Sequence, residues 1–298
     1  LLRHWSYLDL TKNEWGSLQQ EAMANADHFY LPVDVSRQTL YRVFNSPNFN
    51  EGGRFYGGWW QRIDGNFRKS IRINNLATVE IDYSSLHVVL AYTEAGLDYW
   101  KKTEKDPYDL PVRGVSNPEH SRDIVKLFFL LSLNASTEQS LFKAFRYQFS
   151  YKEHPYSFPD DVLSELLATI KEHHPDIADL ICSGAGLKLM NIDSRICEYI
   201  IADFVRTDSP ILTVHDSFIV RCGEEERLEV LMDDAFIHVT SMYGIKTKYN
   251  GNITKKQIYA HDELDIGLRQ RMMNHVFKGN YTQEYENRLI SHKEYYLD

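Results

Sequence analysis

Two short β-prone runs in this chain end the same way. Val79-Glu80-Ile81-Asp82 and Leu212-Thr213-Val214-His215-Asp216 each carry apolar or alternating residues up to a carboxylate. Such runs read as strands. Alone, an Asp that closes a strand is a cap or turn residue. Two of them constrain the fold more tightly, because strands lying side by side in one sheet project both carboxylates at one rim. A pair of hard oxygen ligands there suits Mg²⁺ shared with a substrate phosphate, since Mg²⁺ usually takes only one or two carboxylates from protein. Two ions bridged in this way stabilise both the attacking and the leaving oxygen of a phosphoryl transfer.

The remaining pattern is largely helical. Residues 1–45 read as helix, and a turn-rich stretch follows from Asn45-Ser46-Pro47 to Glu51-Gly52-Gly53. Ser84-Ser85 opens an apolar run that fits a buried helix ending near Gly96. Helices are predicted over 120–135, over 160–173 with acidic residues at its start and Pro175 beyond its end, and over 186–206. Phe218–Arg221 returns as the second arm of a hairpin turning at Asp216, and 224–243 forms a last helix with an acidic outer face. Periodicity in the final 40 residues is too weak to place them.

Within the 120–135 helix, Arg122 and Lys126 stand at i and i+4 and so share a face. Arg grips phosphate bidentately and Lys acts as a point charge, so the pair suits a triphosphate; an isolated pair of this kind is otherwise a solvated helix face. Charge points the same way locally. The chain as a whole has 42 Asp and Glu against 33 Lys and Arg, a net of −9, which argues against nucleic-acid binding by the whole surface. Between Arg54 and Arg72, however, Arg54, Arg62, Arg68, Lys69 and Arg72 face Asp64 alone. Gly57-Gly58-Trp59-Trp60-Gln61 inside that stretch reads equally as a base-stacking surface and as a packed turn. Three cysteines form no CxxC pattern, no run of 18 apolar residues occurs, and the first residues lack a signal-peptide layout. The expectation is an intracellular, cytoplasmic protein with no membrane partner.

In this order the pieces resemble the family A DNA polymerases and the related single-subunit RNA polymerases of phages and mitochondria. Asp82-Tyr83-Ser84 is similar to the first catalytic motif, Arg122 and Lys126 to the Arg-x-x-x-Lys of the fingers helix, and His215-Asp216-Ser217-Phe218 to the His-Asp motif of the palm hairpin. Gly53-Arg54-Phe55-Tyr56 resembles the Gly-Arg-x-Tyr segment of the RNA polymerases, and Asn66–Arg72 the basic approach segment of the DNA polymerases. The resemblance covers about residues 52–222.

It implies an α+β fold: an antiparallel palm sheet with a small helical fingers subdomain and a reduced or absent thumb. The corresponding divisions are an N-terminal helical segment (1–50), palm (51–119), reduced fingers (120–185), palm again (186–243) and a C-terminal extension (244–298). Asp82, Asp216 and the Tyr83 carbonyl would hold two Mg²⁺ ions, with Mn²⁺ as an alternative. Arg122 and Lys126 would grip the nucleoside triphosphate, with Lys126 protonating the leaving pyrophosphate. Arg54, Arg68, Arg72 and His215 would meet template and primer.

Two departures bear on substrate. Asn134-Ala135 stands where the family has Tyr-Gly, and His87 where DNA polymerases carry the Glu that excludes a 2′-hydroxyl; both positions belong to the nucleotide site. The implied activity is nucleotidyl transfer from NTP or dNTP to a 3′-hydroxyl, template-directed. The alternatives are a template-independent or primase-like transferase, and a catalytically inactive palm that binds nucleic acid or protein. With 81 residues before Asp82 and a span of 90 from Lys126 to Asp216, a partner protein supplying thumb or clamp function is expected.

Overall fold

A computed structural model describes residues 34–149 and 156–242 almost throughout, together with parts of 4–18 and residues 244 and 246–250. The chain forms an α+β fold around an antiparallel sheet. In chain order the strands are β1 (Ser6–Leu8), β2 (Tyr41–Phe44), β3 (Gly52–Tyr56), β4 (Ile71–Ile73), β5 (Leu76–Tyr83), β6 (Leu212–Val214), β7 (Ser217–Arg221) and β8 (Thr247–Asn250). The six-stranded sheet runs β1-β4-β5-β7-β6, with β8 also pairing β5; β2 and β3 form a separate hairpin. The longer helices are α1 (Leu86–Glu94), α2 (Pro118–Asn134), α3 (Glu138–Phe149), α4 (Asp160–His173), α5 (Gly186–Arg206) and α6 (Glu225–Thr240). No helix among the described residues is long and apolar enough to cross a membrane.

Strand alternation decides what each face of the sheet meets. Val79, Ile81 and Tyr83 of β5, with Phe218 and Val220 of β7, point into the large core shared with the helices. Ile219 joins Trp59, Trp60, Ile71 and Ile73 in a smaller core. Seven consecutive residues of α1, Leu86–Tyr92, are buried, as expected of a helix that is apolar nearly all round. Helix α2 starts with Pro118 in its first turn, and the Asn117 side chain caps it by accepting from Glu119 N and His120 N.

The structure corrects several expectations. Residues 1–45 are not uniformly helical. Ser6–Leu8 and Tyr41–Phe44 are strands, the first pairing with β4 and the second with β3. Both alternate in burial, a period-2 signal too short to stand out in the sequence. Trp59 and Trp60 form a packed turn rather than a stacking surface: both indoles are buried, donating to Ser6 Oγ at 3.2 Å and to the Thr213 carbonyl at 2.9 Å. His174, just past the end of α4, lies buried, its Nδ1 3.0 Å from the Tyr92 hydroxyl and its Nε2 3.1 Å from the Pro107 carbonyl. The 244–298 extension lies largely outside the described residues, apart from β8 along β5.

Candidate active site

The two aspartate-tipped strands are neighbours. Strands β5 and β7 pair antiparallel with Asp82 opposite Ser217, and the Tyr83 N–H donates to the Asp216 carbonyl at 3.4 Å. Asp216 and His215 are the two residues between β6 and β7, where Val214 pairs with Ser217. Two-residue hairpin loops need positive φ, and His215 supplies it at 58°. Just past Asp82, Ser85 takes φ 56° where the chain turns from β5 into α1, bringing His87 onto the first turn of that helix.

These elements open on a cavity of about 310 Å³, lined by Asp82, Tyr83, Ser85, Leu86 and His87, by Asp216, by Arg54 of β3, by Tyr108, by Arg122, Lys126, Leu130 and Asn134 of α2, and by Met190 of α5. Eight of the eleven residues singled out in the sequence therefore meet at one place. The four α2 residues are spaced every fourth position, so a single face of the helix forms one wall. Its other face buries Ile124, Val125, Phe128, Phe129 and Leu133, which fixes the rotation of the helix. Gly186 lets α5 approach α2 closely: a Cβ there would lie 3.1 Å from Asn134 Cα.

The charges divide into two groups. On the β3 side, Arg54 Nε donates to Asp193 Oδ2 at 2.7 Å, and Arg54 Nη2 lies 2.9 Å from His87 Nε2. Asp193, on α5, is almost fully buried. Burial alone would raise its carboxyl, but the neighbouring His87 and Arg54 outweigh this and hold it below the usual carboxylate value. Asp216 moves the other way: burial first, then the negative charge of Asp193, raise its carboxyl. Burial, and next the charge of Arg54, lower His215, whose ring meets Tyr56 edge-on with centroids 5.6 Å apart.

On the α2 side, Arg122 donates from Nε and Nη2 to Asp106 Oδ2 at 3.0 and 2.7 Å. Its guanidinium carbon sits 5.6 Å from the centre of the Tyr108 ring. Lys126 is half-buried and, among the described residues, makes no ion pair.

Other sequence candidates lie elsewhere. Arg68 pairs with the buried Glu80 at 2.9 Å, and Arg72 with Asp9 at 3.2 Å. With Arg54 on Asp193, the positive excess read between 54 and 72 is met largely within the chain. The Tyr83 side chain turns into the core and donates to the Met232 carbonyl at 2.6 Å, leaving only its backbone near the rim. Asn191, Ser194 and Glu198 hold the β2–β3 hairpin: Asn191 Nδ2 donates to the Gly52 carbonyl, and Arg42 donates to Ser194 and Glu198. Sequence reasoning did not place Asp193, Asp106, Tyr108 or Leu130 in the site. Asp106-Pro107-Tyr108-Asp109 carried the signal of a turn ahead of the Arg122 helix, and Leu130 the continuation of the four-residue spacing.

Neither a protein-family model nor a curated protein matches the chain. Among solved structures, the chain is similar to the POL domain of Pol1 from M. smegmatis, solved in complex with DNA primer-template and dNTP. That similarity covers 63% of this chain and 41% of that chain, with 14% identity and a TM-score of 0.33. The chain thus spans less than half the length of that structure. A likeness of this degree is weak and partial, and identifies neither a family nor an activity.

Proposed function

We propose that the cavity is the active site of a nucleotidyltransferase that adds nucleotides from nucleoside triphosphates to a 3′-hydroxyl under template direction. In this reading the six-stranded sheet is a palm and α2–α4 are compact fingers. One observation carries it: two carboxylates whose positions lie 134 residues apart line the same cavity as two cations on one helix face. A silent binding surface has no use for that combination.

The donor set fits a divalent ion. Among the described residues no group of three or more His, Cys, Asp or Glu could hold a metal by itself. Two carboxylates at a rim match Mg²⁺ completed by substrate phosphates and water, rather than a cage made only of protein. Asp82, Asp216 and the Tyr83 carbonyl would hold it, and the ion would supply charge neutralisation and polarise the phosphoryl oxygen.

The chain's own residues do the rest. Lys126 and Arg122 bind the triphosphate from the α2 wall, and Lys126 gives a proton to the departing pyrophosphate oxygen. His87 and Asn134 border the nucleoside, and His215 borders the primer end. Holding the reacting groups in line supplies most of the acceleration in such transfers. A clamp protein that retains the template belongs to the same proposal.

Primer extension with dNTPs and with NTPs, with and without template, tests the reading. Asp82→Ala and Asp216→Ala are each expected to lower incorporation by about a thousandfold, the scale of several kcal/mol of lost charge stabilisation. Unchanged incorporation in either variant overturns the reading, and template-indifferent addition by the native chain overturns template direction alone.

A further inference from the structure

Arg122 reaches the cavity held on two sides. One is Asp106, whose Oδ2 accepts from both Nε and Nη2. The other is Tyr108, whose ring lies beneath the guanidinium. Asp106 is itself held: its Oδ1 accepts from Tyr108 N at 2.8 Å and its carbonyl from Asp109 N at 3.2 Å, a turn with Pro107 in its bend. Tyr108 is almost fully buried, so the turn is anchored in the core. Of the five N–H groups of a guanidinium, the Asp106 contact uses two on one edge, and the Nη1 group stays unused by it.

We infer that Asp106 is a positioning residue, which fixes the Arg122 fork with its free edge toward the triphosphate. The inference rests on the proposed reading of the cavity and adds to it the residue that orients the phosphate grip. An unfixed arginine surrenders rotamer freedom each time it binds a phosphate; one clamped beforehand does not. The side chains of Asp106 and Arg122 are each 37% exposed, so the pair itself adds little to stability, and its consequence falls on ligand binding.

The experiment is a double-mutant cycle on Asp106→Asn and Arg122→Ala in the full chain, reading KM and kcat for dATP and ATP in primer extension, together with equilibrium binding of the same nucleotides in Mg²⁺. Asn keeps the side-chain oxygen that caps Tyr108 N but has no charge with which to hold Arg122. Asp106→Asn is expected to raise KM about five- to tenfold with kcat changed less than about twofold, and to add nothing when Arg122 is already Ala. A merely structural role would change kcat, or add its full effect in the Arg122→Ala background, and either result overturns the inference. A lower KM also overturns it, since Asp106 would then be a competitor for Arg122. If the native chain binds nucleotide and Asp106→Asn is indistinguishable, the inference alone falls. If the native chain neither binds nor incorporates nucleotide, the reading of the cavity falls and the inference with it.

Discussion

The two charged walls of the cavity are built from similar side chains and behave differently. On the β3 side, Arg54, Asp193 and His87 satisfy one another, with side-chain exposures of 17%, 2% and 9%. On the α2 side, Arg122 leans on a half-exposed Asp106, and Lys126 makes no ion pair among the described residues. Desolvation explains the contrast. A buried charge must be matched within the protein, whereas a half-exposed one can wait for a ligand with water as its partner. The β3 wall is thus framework and the α2 wall is available for binding, although the sequence assigned Arg54 and Arg122 alike to phosphate.

Removing Asp193 tests the framework wall and carries the largest expected effect. Asp193→Ala leaves Arg54, only 17% exposed, without its buried carboxylate, a loss of about 3–5 kcal/mol for a broken buried pair. Urea denaturation measures it as a fall in the transition midpoint. A loss below about 1 kcal/mol would mean that Arg54 finds water or another carboxylate, and the walls would no longer differ in kind.

Lys126→Ala tests the other wall, where the expected loss is in activity rather than stability. With no ion pair to break among the described residues, stability should move by no more than about 0.5 kcal/mol, as for ordinary surface substitutions. Nucleotide incorporation should fall about a hundredfold or more, the usual scale for a lost general acid. Thermal melting and steady-state primer extension on one preparation give both numbers. A large drop in stability with little change in incorporation would reverse the assignment of the two walls.

The same physics governs how much of the molecule could be read in advance. Helices α2, α4 and α5 and the β6–β7 hairpin announce themselves locally, through the Pro118 start, the Asp160-Asp161 first turn and the apolar spacing. The Asp82–Asp216 convergence was legible because each strand carried its own ending. Partnerships were not. Arg54 and Asp193 are 139 residues apart, and nothing on helix α5 marks one aspartate among its polar residues as the buried one. Strand β1 is three residues long and pairs with β4 more than sixty residues later, so its identity comes from its neighbour. Trp59 and Trp60 could equally have faced solvent, since what buries them is a core assembled from β1, β4 and β6.

The smallest expected effect concerns the support behind the α2 wall. The turn that carries Asp106 and Tyr108 is held from beneath by His174, whose Nε2 donates to the Pro107 carbonyl, leaving Nδ1 as the acceptor for the Tyr92 hydroxyl. Burial, assisted by nearby His173 and Lys102 and opposed by Pro107 and Asp176, lowers this imidazole below its ordinary value of 6.5. The neutral ring is therefore the form that the fold prefers. Its contribution is fully present above pH 6.5 and is lost as pH falls through the lowered native value, because the unfolded chain takes up the proton first. Melting temperatures compared between pH 7.5 and 5 should fall more for the native chain than for His174→Gln, whose amide can bond both partners without titrating. The gap in stability change should be about 1 kcal/mol, the scale of a single partly lost buried contact. Parallel pH profiles in the two proteins would show that the α2 wall is braced without this histidine.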